Sequence, residues 1–125
     1  MILLQETLIS LNNDYGTIIT ITCILIGIDL LTGLISSHIH HTTNSSTGRM
    51  GFWKKFALIL ALIFCITIDI FVDYLVNKGL VAEGYFSPIG HLSGIYIAIN
   101  ECISICENLK SCGIDMSAII RWRKK

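Results

Sequence analysis

The stretch Leu25–Ser37, LIGIDLLTGLISS, decides how the chain is read, because it lies within a long apolar run and yet carries a carboxylate, Asp29. From Thr17 to Ile35 that run makes about 28 Å of helix, against a hydrocarbon thickness of about 30 Å. On insertion scales an Asp at a helix centre costs roughly 2.5–3.5 kcal/mol, and each Leu or Ile returns about 0.3–0.6 kcal/mol. Its eleven Leu and Ile residues therefore outweigh Asp29 by on the order of 1–3 kcal/mol. The segment inserts, but its carboxylate is expected to face another helix or water rather than lipid.

Two further segments share that character. Phe56–Val76, FALILALIFCITIDIFVDYLV, has Trp53 and Tyr74 near its ends as interfacial anchors, and Lys54 and Lys55 are placed to snorkel outward. Phe86–Cys106 carries His91, Asn100 and Glu101, with Pro88 suited to its first turn. With 53% hydrophobic and 14% charged residues in 125, and a mean hydropathy of +0.69, the chain is too apolar for an ordinary soluble domain. The fold class expected is an all-α membrane protein of three transmembrane helices forming one domain. Its spans are 17–36, 54–76 and 86–109, joined by a cytoplasmic loop 37–53 and an outer loop 77–85. A segment 1–14 either lies in the interface or extends the first span, and a basic tail covers 110–125.

Charge sets the orientation. Arg49, Lys54 and Lys55 precede the second span, and Lys110, Arg121, Arg123, Lys124 and Lys125 follow the third. Three crossings put both basic groups on one side, which the positive-inside rule assigns to the cytoplasm, leaving the N-terminus outside. A third segment lying flat would put the tail on the wrong side. Zero net charge and scattered basic residues exclude a nucleic-acid surface. No basic start and no small-residue cleavage site marks a signal peptide.

Small and polar residues recur at helical spacing. The first span offers Gly16, Thr20, Cys23 and Gly27, the second Ala61, Cys65, Asp69 and Asp73, and the third Gly90, Gly94, Ala98 and Glu101. Such stripes allow close helix contact and hydrogen bonds across it. At least four deep carboxylates with hardly any basic residue in the spans suggest that one subunit cannot neutralise them as ion pairs. Protonation, water or self-assembly is then required. The five cysteines lie mostly in apolar runs at spacings unlike CxxC and read as packing residues, not disulfides or zinc ligands. His38, His40 and His41 lack an adjoining carboxylate or thiol set and read as a solvated loop, so no metal site is expected. Asp69 with Asp73, or Glu101 with His91, resembles an acid–base pair only superficially, since no nucleophile elbow, phosphate loop or HExxH motif accompanies them. The chain reads as a non-enzyme without cofactors.

The residues IDLLTGLI (Ile28–Ile35), then Ser45, Gly48, Gly51 and Lys54, then NECISICEN (Asn100–Asn108) and Gly113, resemble the phage-lysis and toxin-secretion holin family over about residues 20–115. That resemblance implies a small phage membrane protein that accumulates and oligomerises in the bacterial inner membrane and opens lesions. The lesions release or activate an endolysin, with which no direct contact is needed, or in relatives export a toxin. It assigns Asp29, Gly33, Gly48, Gly51, Lys54, Asn100, Glu101, Ser104, Glu107 and Asn108 to assembly, and Asp69, Asp73, Gly94 and Ala98 join them as pore-lining candidates from the stripes. The His-rich loop and GIDMS, where a proline often follows the glycine, depart from the family pattern. No second Met near Met1 encodes a dual-start inhibitor, and a separate antiholin stays open. An ion-conducting channel, an accessory transporter subunit and a structural adaptor are the alternatives.

Overall fold

The computed structural model describes residues 2–84 and 87–117, with side chains from Tyr15 onward except that of Thr47. Helix α1 spans Ile2–Ile39, α2 spans Ser45–Asn77 and α3 spans Ile89–Ser111. Within them Tyr15–Ile39, Gly48–Asn77 and Ile89–Ser111 are each long and apolar enough to cross a membrane. The all-helical, three-span expectation is met among the described residues, while Phe86 and the tail residues Arg121, Trp122, Arg123, Lys124 and Lys125 lie outside them. The N-terminal segment is not a separate helix: α1 begins at Ile2 and runs unbroken into the first span.

The loop expected over 37–53 is far shorter. Asn44 caps α2, its side-chain oxygen accepting from the Ser46 backbone N–H at 3.0 Å and from the Ser46 hydroxyl at 2.9 Å. Ser45–Trp53 is helical as a result, despite Gly48 and Gly51, each of which costs about 1 kcal/mol against Ala in a helix. The cap and the long apolar segment behind it propagate the helix through both positions. Each helix then ends in a left-handed residue whose N–H, with that of the next residue, satisfies the last carbonyls. These residues are His41 at φ 53, Gly79 at φ 71 and Gly113 at φ 89. In α1 the pair is Thr42 N to Ser37 O at 2.9 Å and His41 N to His38 O at 3.2 Å, and Gly113 ends α3 as its sequence position indicates.

Helix α3 packs against both α1 and α2, which touch each other much less. The interior is as polar as it is apolar: Tyr15, Ile26, Leu62, Ile66 and Ile97 are buried together with Thr22, Asp29, Asp69, Ser87 and Glu101. Outward stand Leu31, Phe64 and Tyr96, each more than three-fifths exposed. A soluble bundle would invert that arrangement, so the molecule presents an outer surface suited to lipid. All five cysteines are free of disulfides, Cys65 and Cys112 half-buried and Cys23, Cys102 and Cys106 exposed. Lipid accommodates a thiol on an outer face as readily as an interior does.

The stripes are placed unequally. On α3 the buried positions are Gly90, Gly94, Ile97 and Glu101, close to expectation, with Ala98 half-buried beside them. On α1 the inward face is Tyr15, Thr22, Ile26 and Asp29, while Thr20 and Cys23 are exposed. On α2 it is Leu62, Ile66 and Asp69, and Ala61 is exposed. Close approach rather than turn geometry explains the two glycines of α3. A Cβ on Gly94 would overlap Ile18 Cγ2, and one on Gly90 would stand 2.8 Å from Asp69 Oδ2 and 3.1 Å from the Ile66 Cα. Gly90→Ala is therefore expected to cost about 1–3 kcal/mol. Gly27→Ala, with nothing within 4 Å of the added carbon, is expected to be neutral or stabilising. Reversible unfolding in detergent micelles compares the two.

Candidate functional site

Two polar rungs cross the bundle, about 21 Å apart along α2 at the helical rise. The first is built on Lys55. Its Nζ lies 2.6 Å from Oε1 and 2.6 Å from Oε2 of Glu101 on α3, and 3.0 Å from Asp29 Oδ2 on α1. The Asn108 carboxamide donates to Asp29 Oδ1 at 3.1 Å and to Thr32 Oγ1 at 3.2 Å. Asp29 thus has each carboxylate oxygen bonded to a different helix, and one ammonium joins all three helices. Glu101 is only 2% exposed.

The second rung is built on Asp69. Its Oδ1 accepts from the Ser87 hydroxyl at 2.8 Å and from Ile89 N at 3.1 Å. Its Oδ2 accepts from Gly90 N at 2.7 Å and from the Tyr15 hydroxyl at 3.2 Å. The carboxylate therefore caps α3 from a neighbouring helix, where the helix dipole favours negative charge and two otherwise orphaned N–H groups need an acceptor. The ring of His91 lies against that of Tyr15, centroids 4.7 Å apart. Between the rungs Ile26, Leu62, Ile66 and Ile97 form the apolar core.

These contacts correct the expectation that one subunit cannot shelter its acids. Asp29 and Glu101 are ion-paired and Asp69 is fully hydrogen-bonded within a single chain; Asp73, one turn beyond, is half-buried. Lys55 was expected to snorkel outward. It points inward instead because two carboxylates from other helices meet its ammonium, and a hydrogen-bonded pair outweighs the reach to headgroups once the acids are themselves buried. Lys54, its neighbour, is exposed as expected.

Several motif residues converge on one space. A cavity of about 870 Å³ opens between the helices beside Asp29 and Lys55, with Gly33, Ser45, Gly48, Gly51, Ser104 and Asn108 in its wall. Asn100 and Glu107 do not reach it and are exposed on α3, as is Arg49 on α2. At the far end His40 Nε2 meets the Ser111 carbonyl oxygen at 3.1 Å, and the Ser36 and Ser111 hydroxyls are hydrogen-bonded. Sequence reasoning missed Tyr15, Thr22 and the inward role of Lys55. The available signal was that Lys55 lies a heptad from Leu62 and two from Asp69, on one face of α2.

The family model described as the bacteriophage holin family matches residues 7–123. No curated protein and no solved structure matches the chain.

Removing one partner of a buried ionic trio leaves uncompensated charge. Lys55→Met is expected to destabilise the monomeric bundle by about 3–5 kcal/mol. Combining it with Asp29→Asn and Glu101→Gln is expected to recover most of that loss. Steric trapping or denaturant unfolding in micelles reads both, and a triple variant no more stable than the single one refutes the assignment.

Proposed function

The chain belongs to the bacteriophage holin family, and we propose that it accumulates in the bacterial inner membrane, oligomerises there and opens lesions that lyse the host. The lesions release or activate an endolysin, or pass a toxin, without contact between holin and cargo. In this proposal the N-terminus lies outside and the basic residues Arg49, Lys54, Lys110 and the tail lie in the cytoplasm, following the positive-inside rule. An antiholin, where one exists, is a separate protein.

The observation that carries the proposal is the polar interior of an otherwise lipid-facing molecule: Asp29, Lys55 and Glu101 join three helices whose outer faces are apolar. Helices in a membrane gain little from apolar contact with one another, since lipid tails are equally apolar. What closes this bundle is therefore largely polar, and what is polar can be exchanged for water. In the closed protomer the rungs are satisfied internally. On crowding, neighbouring protomers supply alternative helix contacts, the bundle opens, and Asp29, Lys55, Asp69 and Glu101 become the lining of a shared aqueous space. Gly33, Gly94, Ala98 and Ser104 sit on the faces that would part, and Asp73 extends the acidic lining by one turn. The Leu, Ile and Phe faces stay in lipid throughout, so no apolar surface need be hydrated.

Inducing the protein with and without a co-expressed endolysin tests the activity. Abrupt uptake of large dyes in both cultures, and loss of turbidity only with the endolysin, is the expected result; passage of ions alone would identify a selective channel. The gating scheme makes a separate demand. Glu101→Gln leaves Lys55 with one carboxylate, weakens closure and is expected to bring lysis forward in time at equal protein level. Unchanged onset in the turbidity trace would overturn the role given to the Lys55 rung.

A further inference from the structure

Asn100 is the middle residue of α3, Ile89–Ser111, and it is exposed. Its carboxamide has no hydrogen-bond partner among the described residues, whereas the carboxylates of Asp29, Asp69 and Glu101 and the Lys55 ammonium are all bonded within the chain. Lipid tails offer neither donor nor acceptor, so an amide at the middle of a span is left unsatisfied unless another polar group meets it.

We propose that this outward face of α3 is where a second copy of the chain docks in parallel, the two Asn100 carboxamides hydrogen-bonding to each other. The inference rests on the reading that the protein assembles in the membrane, and it names the surface. The spacing around Asn100 supplies the first support. Ser93, Tyr96, Asn100, Ile103, Glu107 and Lys110 follow one another at steps of three, four, three, four and three residues, the 3.5-residue seam of a left-handed helix pair. Tyr96 is 68% and Ile103 52% exposed, Glu107 and Lys110 are exposed, and Ser93 is half-buried. At 100° per residue the seam lies roughly a third of a turn from the inward face of Gly90, Gly94, Ile97 and Glu101, so one face does not compete with the other.

The choice of occupant follows from chemistry. Every copy inserts with the same orientation, so Asn100 of each arrives at the same depth. A carboxamide is both donor and acceptor and therefore complements itself, which a carboxylate or an ammonium at that depth would not. A single Asn at a core position of a helix pair also fixes parallel alignment and register.

The test is disulfide cross-linking in native membranes, in a chain whose five cysteines are changed to Ala. Tyr96→Cys and Ile103→Cys are expected to form covalent dimers on mild oxidation, and Ile95→Cys, exposed on another face of α3, is not. Adding Asn100→Ala is expected to lower the dimer fraction roughly tenfold and Asn100→Gln to lower it much less. Native-gel mobility of Asn100→Ala with the original cysteines provides an independent measurement. Cross-linking at Ile95→Cys equal to that at the seam, or no loss of association in Asn100→Ala, would overturn the interface. Seam cross-linking in a membrane that stays tight to large dyes would refute the lytic activity and leave the interface standing. Lysis without seam cross-linking would do the reverse.

Discussion

One ammonium group holds the bundle together. Lys55 Nζ lies within 3.0 Å of carboxylates on both other helices, and few other contacts in the molecule bring α1 and α2 into the same interaction. Among the described residues the fully buried apolar core is Tyr15, Ile26, Leu62, Ile66 and Ile97, with Ile18, Ile19, Leu30, Leu58 and Ile59 packed partly against it, and in lipid such contacts distinguish helix from solvent weakly. A buried charge behaves differently, because its isolation costs several kcal/mol and its pairing removes that cost only in one geometry. The rung therefore specifies which faces meet more than it adds net stability. Asp69 does the same at the other end, fixing where α3 begins relative to α1 and α2.

That constraint explains what could be read from the chain and what could not. The three spans follow from hydropathy, and the closure of α3 at Gly113 follows from helix chemistry. On α3 the small residues Gly90 and Gly94 mark the packed face, because a neighbouring side chain or backbone occupies the space where a Cβ would stand. On α1 the same kind of stripe misleads: Gly16 and Gly27 have open space beside them, and the packed face is set instead by Asp29 and the larger Tyr15 and Ile26. A small residue permits approach but does not compel it. A buried charge with a partner compels it, and the partner of Asp29 lies on a different helix at a register that no local pattern encodes. The loop was misjudged for a related reason. Gly, Ser and Thr lower helix propensity, yet Asn44 supplies the cap that lets the apolar helix behind it extend through them.

With Asp29, Asp69 and Glu101 sheltered inside each chain, neutralising those carboxylates does not require self-association. Pairing them internally lowers the cost of placing Asp29, Asp69 and Glu101 within apolar helices. It also means that opening is opposed by an identifiable contact. In the proposed lytic scheme that contact is the barrier that keeps the bundle closed, since a subunit with naked acids would either fail to insert or admit water at once.

The composition of α3 then acquires a reason. Its mean hydropathy is 1.3, against 2.4 and 2.5 for the other two spans, and a helix with a single polar face would not need so low a value. Glu101 accounts for the inward face, which both other helices cover. Asn100 stands on a second face and is exposed among the described residues. Adjacent in sequence, the two residues are about 100° apart around the helix axis, so one helix position commits its polarity to the fold and the next commits it to whatever lies outside. If α3 served only to complete the bundle, an apolar residue at position 100 would insert more favourably and cost the fold nothing. An amide at the middle of this span has no partner among the described residues, and the proposed parallel pair of α3 helices supplies one.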